Sequence, residues 1–113
     1  MGLSRTPGRA LHVNQLLYGE RAFVHLHLWD AGARRAGLGT ALLRRSVPVF
    51  FQRFALQSLY GEPYAANPAP NRVLTRVGFR FLERYRTTPG LINFEQQVNR
   101  YVIERSALEN PGA

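Results

Sequence analysis

Two histidines stand two residues apart in the stretch "RAFVHLHLWD". Strand alternation with a period of two places His25, His27 and Trp29 on one face. An imidazole exchanges protons near neutral pH, so His25 and His27 are both candidate bases. Each can equally be a packed, hydrogen-bonded residue of a cleft wall. A His-x-His metal site needs a third ligand that the sequence does not place, so no metal is expected. Glu62, at the end of a later strand-like run, is another candidate base, and its alternative role is that of a turn carboxylate. The absence of cysteine excludes disulfides, thiol nucleophiles and zinc–thiolate sites.

A second kind of chemistry belongs to the backbone. "RRAGLGTALL", residues 34 to 43, links a strand-like run to a helix-like one through two glycines. Such a turn exposes N–H groups at the positive end of a helix dipole, where a phosphate is held without any side chain. No Gly-Lys-Ser/Thr follows, and the third glycine of a dinucleotide fingerprint is missing, so neither of those nucleotide motifs is present. The competing reading is that Gly37 and Gly39 only permit a tight strand-to-helix turn.

Positioning these groups requires a folded domain, and the 113 residues with 45% hydrophobic content are expected to form one, spanning 1–113. A chain of this size buries roughly 65% of its unfolded surface. No apolar run is long enough to cross a bilayer and the N-terminus has no signal-peptide core, so a cytoplasmic location is expected. The net charge of +8 comes from arginines scattered along the chain, with no lysine, which dilutes the case for a basic nucleic-acid-binding module but keeps it as an alternative.

The pattern of elements is β-β-α-β-α-β-β, an α+β arrangement with a mixed, mostly antiparallel sheet. "RALHVNQLLY" and "RAFVHLHLWD" read as a hairpin turning at Gly19-Glu20, with the second strand ending near Asp30. A helix begins near Gly39, presents Ala41, Leu42, Val49, Phe50 and Phe54, and is expected to bend at Pro48. "FALQSLYGEPY" is the next strand. "NPAPNRVLTRVG" is a short helix with Pro68 in its first turn, an apolar face of Val73, Leu74 and Val77, and Gly78 as its C-terminal stop. "FRFLERYRT" and "INFEQQVNRYVIER" are antiparallel partners across a "TPG" turn, and residues 106–113 are expected to fray.

Two of these stretches resemble one family. "RRAGLG" is similar to the Arg/Gln-x-x-Gly-x-Gly/Ala signature of the GNAT acyl-CoA N-acetyltransferases, with Arg34, Gly37 and Gly39 in the signature positions. "NPAPNRVLTRVGFRF" resembles the asparagine, short helix and Gly-Phe pair that follow in that family, most of all in the branch containing ribosomal-protein N-terminal acetyltransferases. The resemblance runs from about Ala10 to Arg105.

It implies acetyl-CoA as co-substrate and an acetyl group passed to a primary amine of a small molecule or protein N-terminus. The pyrophosphate would sit on the amides of Arg35, Ala36, Gly37, Leu38, Gly39 and Thr40, with Arg34 and Arg35 adding charge. The pantetheine arm would lie between the strand holding "VHLHLWD" and the one after the long helix, near Leu28, Trp29, Asn67 and Asn71. His25 falls where several relatives carry a catalytic glutamate. Leu74 stands where many relatives have a tyrosine that protonates the departing thiolate, so Tyr60, Tyr64 or water would have to serve.

A complete domain of that family has a strand, one or two helices and another strand ahead of these elements. The expectation is therefore the C-terminal portion of a GNAT fold, a partial domain that completes itself as a homodimer. A CoA- or ligand-binding remnant without turnover is the alternative.

Overall fold

The computed structural model describes residues 2–6, 9–28, 37–87 and 96–109, and side chains at 11, 13–25, 37–87 and 96–108. Six strands form one sheet: β1 (Gly2–Thr6), β2 (Arg9–Leu17), β3 (Arg21–Leu28), β4 (Ser58–Gly61), β5 (Arg80–Thr87) and β6 (Gln96–Glu104), in the order β1-β2-β3-β4-β6-β5. Helix α1 (Leu38–Phe54) joins β3 to β4, α2 (Pro68–Val77) joins β4 to β5, and α3 (Arg105–Glu109) follows β6. Among the described residues only β3 and β4 run parallel, because the chain crosses between them through α1; every other neighbouring pair is antiparallel. The fold is thus α+β with a mostly antiparallel sheet, and the element order from β2 to β6 follows the sequence pattern.

The β2–β3 hairpin turns at Gly19, whose φ of 83° suits glycine, and Glu20 N–H donates to Leu17 O. At the other end of the chain, β5 and β6 pair from Arg80↔Val102 to Thr87↔Gln96, and the expected "TPG" turn lies outside the described residues.

Strands β3, β4 and β6 turn apolar residues to the helices. Ala22, Val24, Leu59, Tyr101 and Ile103 join Leu43, Val47, Phe50, Phe51, Phe54, Val73 and Leu74 in one buried cluster. Leu43, Val47, Phe50, Phe51 and Phe54 recur at helical spacing, which makes one apolar stripe along α1. Of the apolar residues read from the sequence, Phe50 and Phe54 lie on this stripe and Leu42 packs beside it, whereas Ala41 is exposed and Val49 is 48% exposed. Val49 lies two residues beyond Val47, about 200° round the helix, and so faces away from the sheet. Pro48 sits inside α1 on its exposed side and does not end it.

Three further differences from the sequence reading are structural. A strand at residues 2–6 pairs with β2, although "GLSRT" has no apolar alternation. The strand expected over "FALQSLYGEPY" is only the four residues of β4, followed by a single bridge from Tyr64 to Val98. The tail expected to fray from 106 is helical to Glu109, because Leu108 packs on the core while Arg105 donates to Leu56 O and Phe51 O at the C-terminal end of α1.

Candidate functional site

The parallel pairing of β3 with β4 runs from Arg21↔Ser58 to Val24↔Gly61 and stops there. Beyond that point β3 continues to Leu28 on the β2 side only, while the chain after β4 stays with β6 through Tyr64↔Val98. The two backbones therefore part after Val24 and Gly61, and His25 and Glu62 are the first residues on either side of the opening. Both share the sheet face of Phe23 and Tyr60, opposite the helices, because side chains alternate and directly paired residues point the same way.

His25 is held: its Nε2 donates to Oδ1 of Asn14 on the adjacent strand at 2.9 Å. A proton on Nε2 places the basic lone pair of the neutral ring on Nδ1. Behind His25, Phe23 and Tyr60 stack with centroids 5.3 Å apart.

Glu62 is built into a charged cluster. Arg100 Nε donates to Glu62 Oε2 at 2.6 Å, Tyr85 OH donates to the same oxygen, and Arg100 Nη2 donates to Tyr85 OH at 3.3 Å. The Arg100 guanidinium also lies over three rings, 5.8 Å from Phe23, 5.8 Å from Tyr60 and 5.3 Å from Tyr85. Burial, then the hydrogen bond and charge of Glu62, push the Tyr85 hydroxyl above 10.0, with Arg100 opposing. Burial works against the Arg100 charge, but Glu62 and Tyr85 outweigh it and hold the guanidinium above its ordinary value. No local sequence signal marks this cluster, since Glu62, Tyr85 and Arg100 come from distant parts of the chain. Only the cross-strand register of the β4 segment, β6 and β5 unites them.

The glycine turn reaches α1 at Gly37, which caps the helix in the left-handed region at φ 71°. A β-carbon there would meet nothing within 4 Å, so the positive φ is the constraint on this position and crowding is not. No side chain caps the helix and no acidic residue occupies its first turn, so the amides of Leu38, Gly39 and Thr40 stand at an uncompensated positive helix end among the described residues. Trp29, Arg34, Arg35 and Ala36 lie outside the described residues, as do the side chains of His27 and Leu28, whose backbones end β3.

The two asparagines assigned to the cofactor have different surroundings. Asn67 is the exposed N-cap of α2 and makes no side-chain capping bond. Asn71 spends its amide within the protein. Its Nδ2 donates to Tyr64 O and Asn67 O at 2.9 and 2.6 Å, and its Oδ1 accepts from Asn99 Nδ2 and Tyr101 OH at 2.8 and 2.9 Å. Those four bonds fill the capacity of a carboxamide. Asn99, only 5% exposed, also accepts from Arg84 Nε at 2.7 Å and anchors its N–H to Pro63 O. Asn71 thus fixes the segment that follows β4. Leu74, on the same helix, is buried against Gly61, whose hypothetical β-carbon would meet both Leu74 methyls at 3.0 Å. Tyr60, considered as a replacement acid, lies across the sheet from Leu74, on the side of His25 and Glu62.

Comparison with solved structures interprets this arrangement. An acetyltransferase of the GNAT family from Bacillus anthracis superposes with a TM-score of 0.74 at 11% identity, over 87% of this chain and 58% of that one. The fold is that of the GNAT acetyltransferases. A variant of the spermidine N-acetyltransferase SpeG from Vibrio cholerae gives 0.76 at 16% identity over 93% of this chain and 62% of that one. The microcin C7 self-immunity acetyltransferase MccE, solved with acetyl-CoA and AMP, gives 0.74 at 14% identity over 86% and 54%. The chain spans between 54% and 62% of the length of these GNAT proteins. No protein-family model matches it, nor does any curated protein sequence. In the GNAT fold as this chain builds it, parted parallel strands and an open helix N-terminus occur together. Among the described residues no group of three or more metal-ligating side chains is present, and no helix is long and apolar enough to cross a membrane.

Proposed function

We propose that this chain is an acetyl-CoA-dependent N-acetyltransferase, working in the cytoplasm on a primary amine of a small molecule or a protein N-terminus. The observation that carries the proposal is the junction of β3, α1 and β4. Helix α1 begins after its cap Gly37 with its first-turn amides uncompensated among the described residues, and the parallel strands joined by that helix part after Val24 and Gly61. The sequence pattern "NPAPNRVLTRVGFRF" favours the branch of ribosomal-protein N-terminal acetyltransferases.

Acetyl-CoA would supply an activated thioester. The chain's own part is to bind and to move protons. The amides from 35 to 40, with Arg34 and Arg35, hold the diphosphate. The β3 backbone from His25 to Leu28, which has no β4 partner, would receive the pantetheine arm, with Trp29 and Asn67 as further contacts. His25, steadied by Asn14 at Nε2, accepts the amine proton. His27 and Glu62 are the other candidate bases, and Glu62 is the less available because Oε2 already accepts from two donors. Tyr60, Tyr64 or water returns a proton to the departing thiolate.

A homodimer is part of this reading, supported by Phe81 and Leu82, which are 51% and 38% exposed on the outermost strand β5. Light scattering should then report about twice the 12.8 kDa chain mass. A second reading, CoA binding without turnover, is favoured by Leu74, whose buried hydrocarbon donates no proton.

Calorimetry with acetyl-CoA and CoA, followed by acetyl transfer to a broad amine panel, tests both. Binding with transfer supports the enzyme, binding without transfer supports the remnant, and no binding of either nucleotide overturns both.

A further inference from the structure

The Glu62–Arg100 pair is partly buried and held from several sides, yet it is not closed. Three aromatic rings and Tyr85 OH fix the guanidinium plane, and Arg100 and Glu62 side chains remain 32% and 20% exposed. Of the five N–H bonds of a guanidinium, one at Nε and one at Nη2 are used. The end-on fork of Nη1 and the second Nη2 hydrogen has no hydrogen-bond partner among the described residues. Glu62 Oε1 likewise has none, because both donors converge on Oε2. One side of the pair thus offers an acceptor oxygen, and the other a preorganised fork that matches a carboxylate. Both stand on the sheet face of His25, at the opening between β3 and the chain after β4.

We propose that this pair is the acceptor subsite and that it takes a free α-amino acid. The ammonium group sits on Glu62 Oε1 and the carboxylate on the Arg100 fork. A zwitterion satisfies both open valences and leaves the site as neutral as it was. A plain amine leaves the fork empty, and a plain acid leaves Oε1 empty; each forfeits one charge-assisted contact. The aromatic rings matter because a guanidinium already fixed in its plane loses little freedom when the carboxylate arrives. The acetyltransferase reading is needed only for what happens to the bound amine, and the binding stands or falls without it.

The test is therefore binding, not turnover. The twenty standard L-amino acids are titrated singly into the full chain, with and without CoA, by calorimetry or ligand-observed NMR. Any that binds is compared with its decarboxylated amine and its desamino acid. The expected result is at least one amino acid that binds at least tenfold more tightly than both analogues. Arg100→Gln should weaken it about tenfold or more and abolish its advantage over the amine, while Glu62→Gln should abolish its advantage over the desamino acid. Arg100→Lys, which keeps the charge but not the fork, should recover only part of the affinity, and CoA binding should be unchanged in all three. If Arg100→Gln unfolds, as circular dichroism would report, Arg100→Lys carries the test. No binding by any of the twenty, equal binding of the amine, or indifference to both Arg100 variants overturns the proposal. Loss of CoA binding in the parent overturns the acetyltransferase reading instead.

Discussion

Helices α1 and α2 both start at the end of a strand that runs in the same direction, yet their first turns are built oppositely. α1 begins after Gly37 with Leu38, Gly39 and Thr40, three residues that all carry a backbone N–H, and no side chain or acidic group covers them among the described residues. α2 begins with Pro68-Ala69-Pro70, so two of its first three positions have no N–H to offer. One junction leaves its first-turn amides uncovered among the described residues. The other has two of them removed by proline and is tied down by Asn71, whose amide bonds Tyr64, Asn67, Asn99 and Tyr101. Under the proposed function, the difference separates two tasks, binding at the β3–α1 junction and holding the opening in shape at the β4–α2 junction.

The contrast breaks most decisively at Gly37. Gly37→Asp should weaken CoA binding about 10³-fold, because a carboxylate would stand where a diphosphate must sit. The fold should survive, since aspartate tolerates the left-handed region and the β-carbon meets no neighbour. Gly37→Asn, equally tolerant but neutral, should keep affinity within several-fold by calorimetry. Equal affinity for Gly37→Asp and the parent would show that the turn is only a turn.

At the other junction, Asn71→Ala should cost about 3 kcal/mol in denaturant unfolding, because Asn99 and the Tyr101 hydroxyl lose a partner in a buried setting. CoA affinity of the folded variant should change little. A stability loss below about 1 kcal/mol with a large loss of CoA affinity would return Asn71 to the ligand and erase the contrast.

The chemistry of the open junction is probed by replacing His25 and His27 together with alanine. Acetyl transfer to a responsive amine should slow roughly 10²-fold with acetyl-CoA affinity retained. A variant as fast as the parent would make Glu62 or water the base.

The smallest effect concerns Tyr85. Its hydroxyl is held protonated above 10.0 by burial and by Glu62, so the folded chain keeps a proton that the unfolded chain releases. That contribution to stability is complete below pH 10.0 and is lost as pH rises through the folded value. Unfolding midpoints measured across the alkaline range should therefore fall less steeply for Tyr85→Phe than for the parent. Parallel curves would mean that the hydroxyl has no preference for the folded state.

Local chemistry explains why much of this was readable. Gly78 stops α2 with φ 114° and Pro68 starts it, because those residues limit the backbone whatever surrounds them. Gly37 likewise declares a left-handed cap. Which apolar residues of α1 are buried is not legible locally, since Val49 and Val47 are equally apolar and only contact with the sheet decides which is buried. Strand β4 is shorter than the stretch "FALQSLYGEPY" suggests, because beyond Gly61 the pairing passes to a single Tyr64 bridge.

By itself the sequence determined the order of elements from β2 to β6, the turns at Gly19, Gly37 and Gly78, and two histidines two residues apart within β3, all consequences of backbone limits and strand period. Tertiary structure alone decided that His25 and Glu62 flank one opening, that Asn71 is consumed by Asn99 and Tyr101, and that Arg100 is caged by Phe23, Tyr60 and Tyr85. Those outcomes depend on strand register between segments up to 77 residues apart, from Phe23 to Arg100, and register is set by packing across the sheet, to which no local run of residues has access.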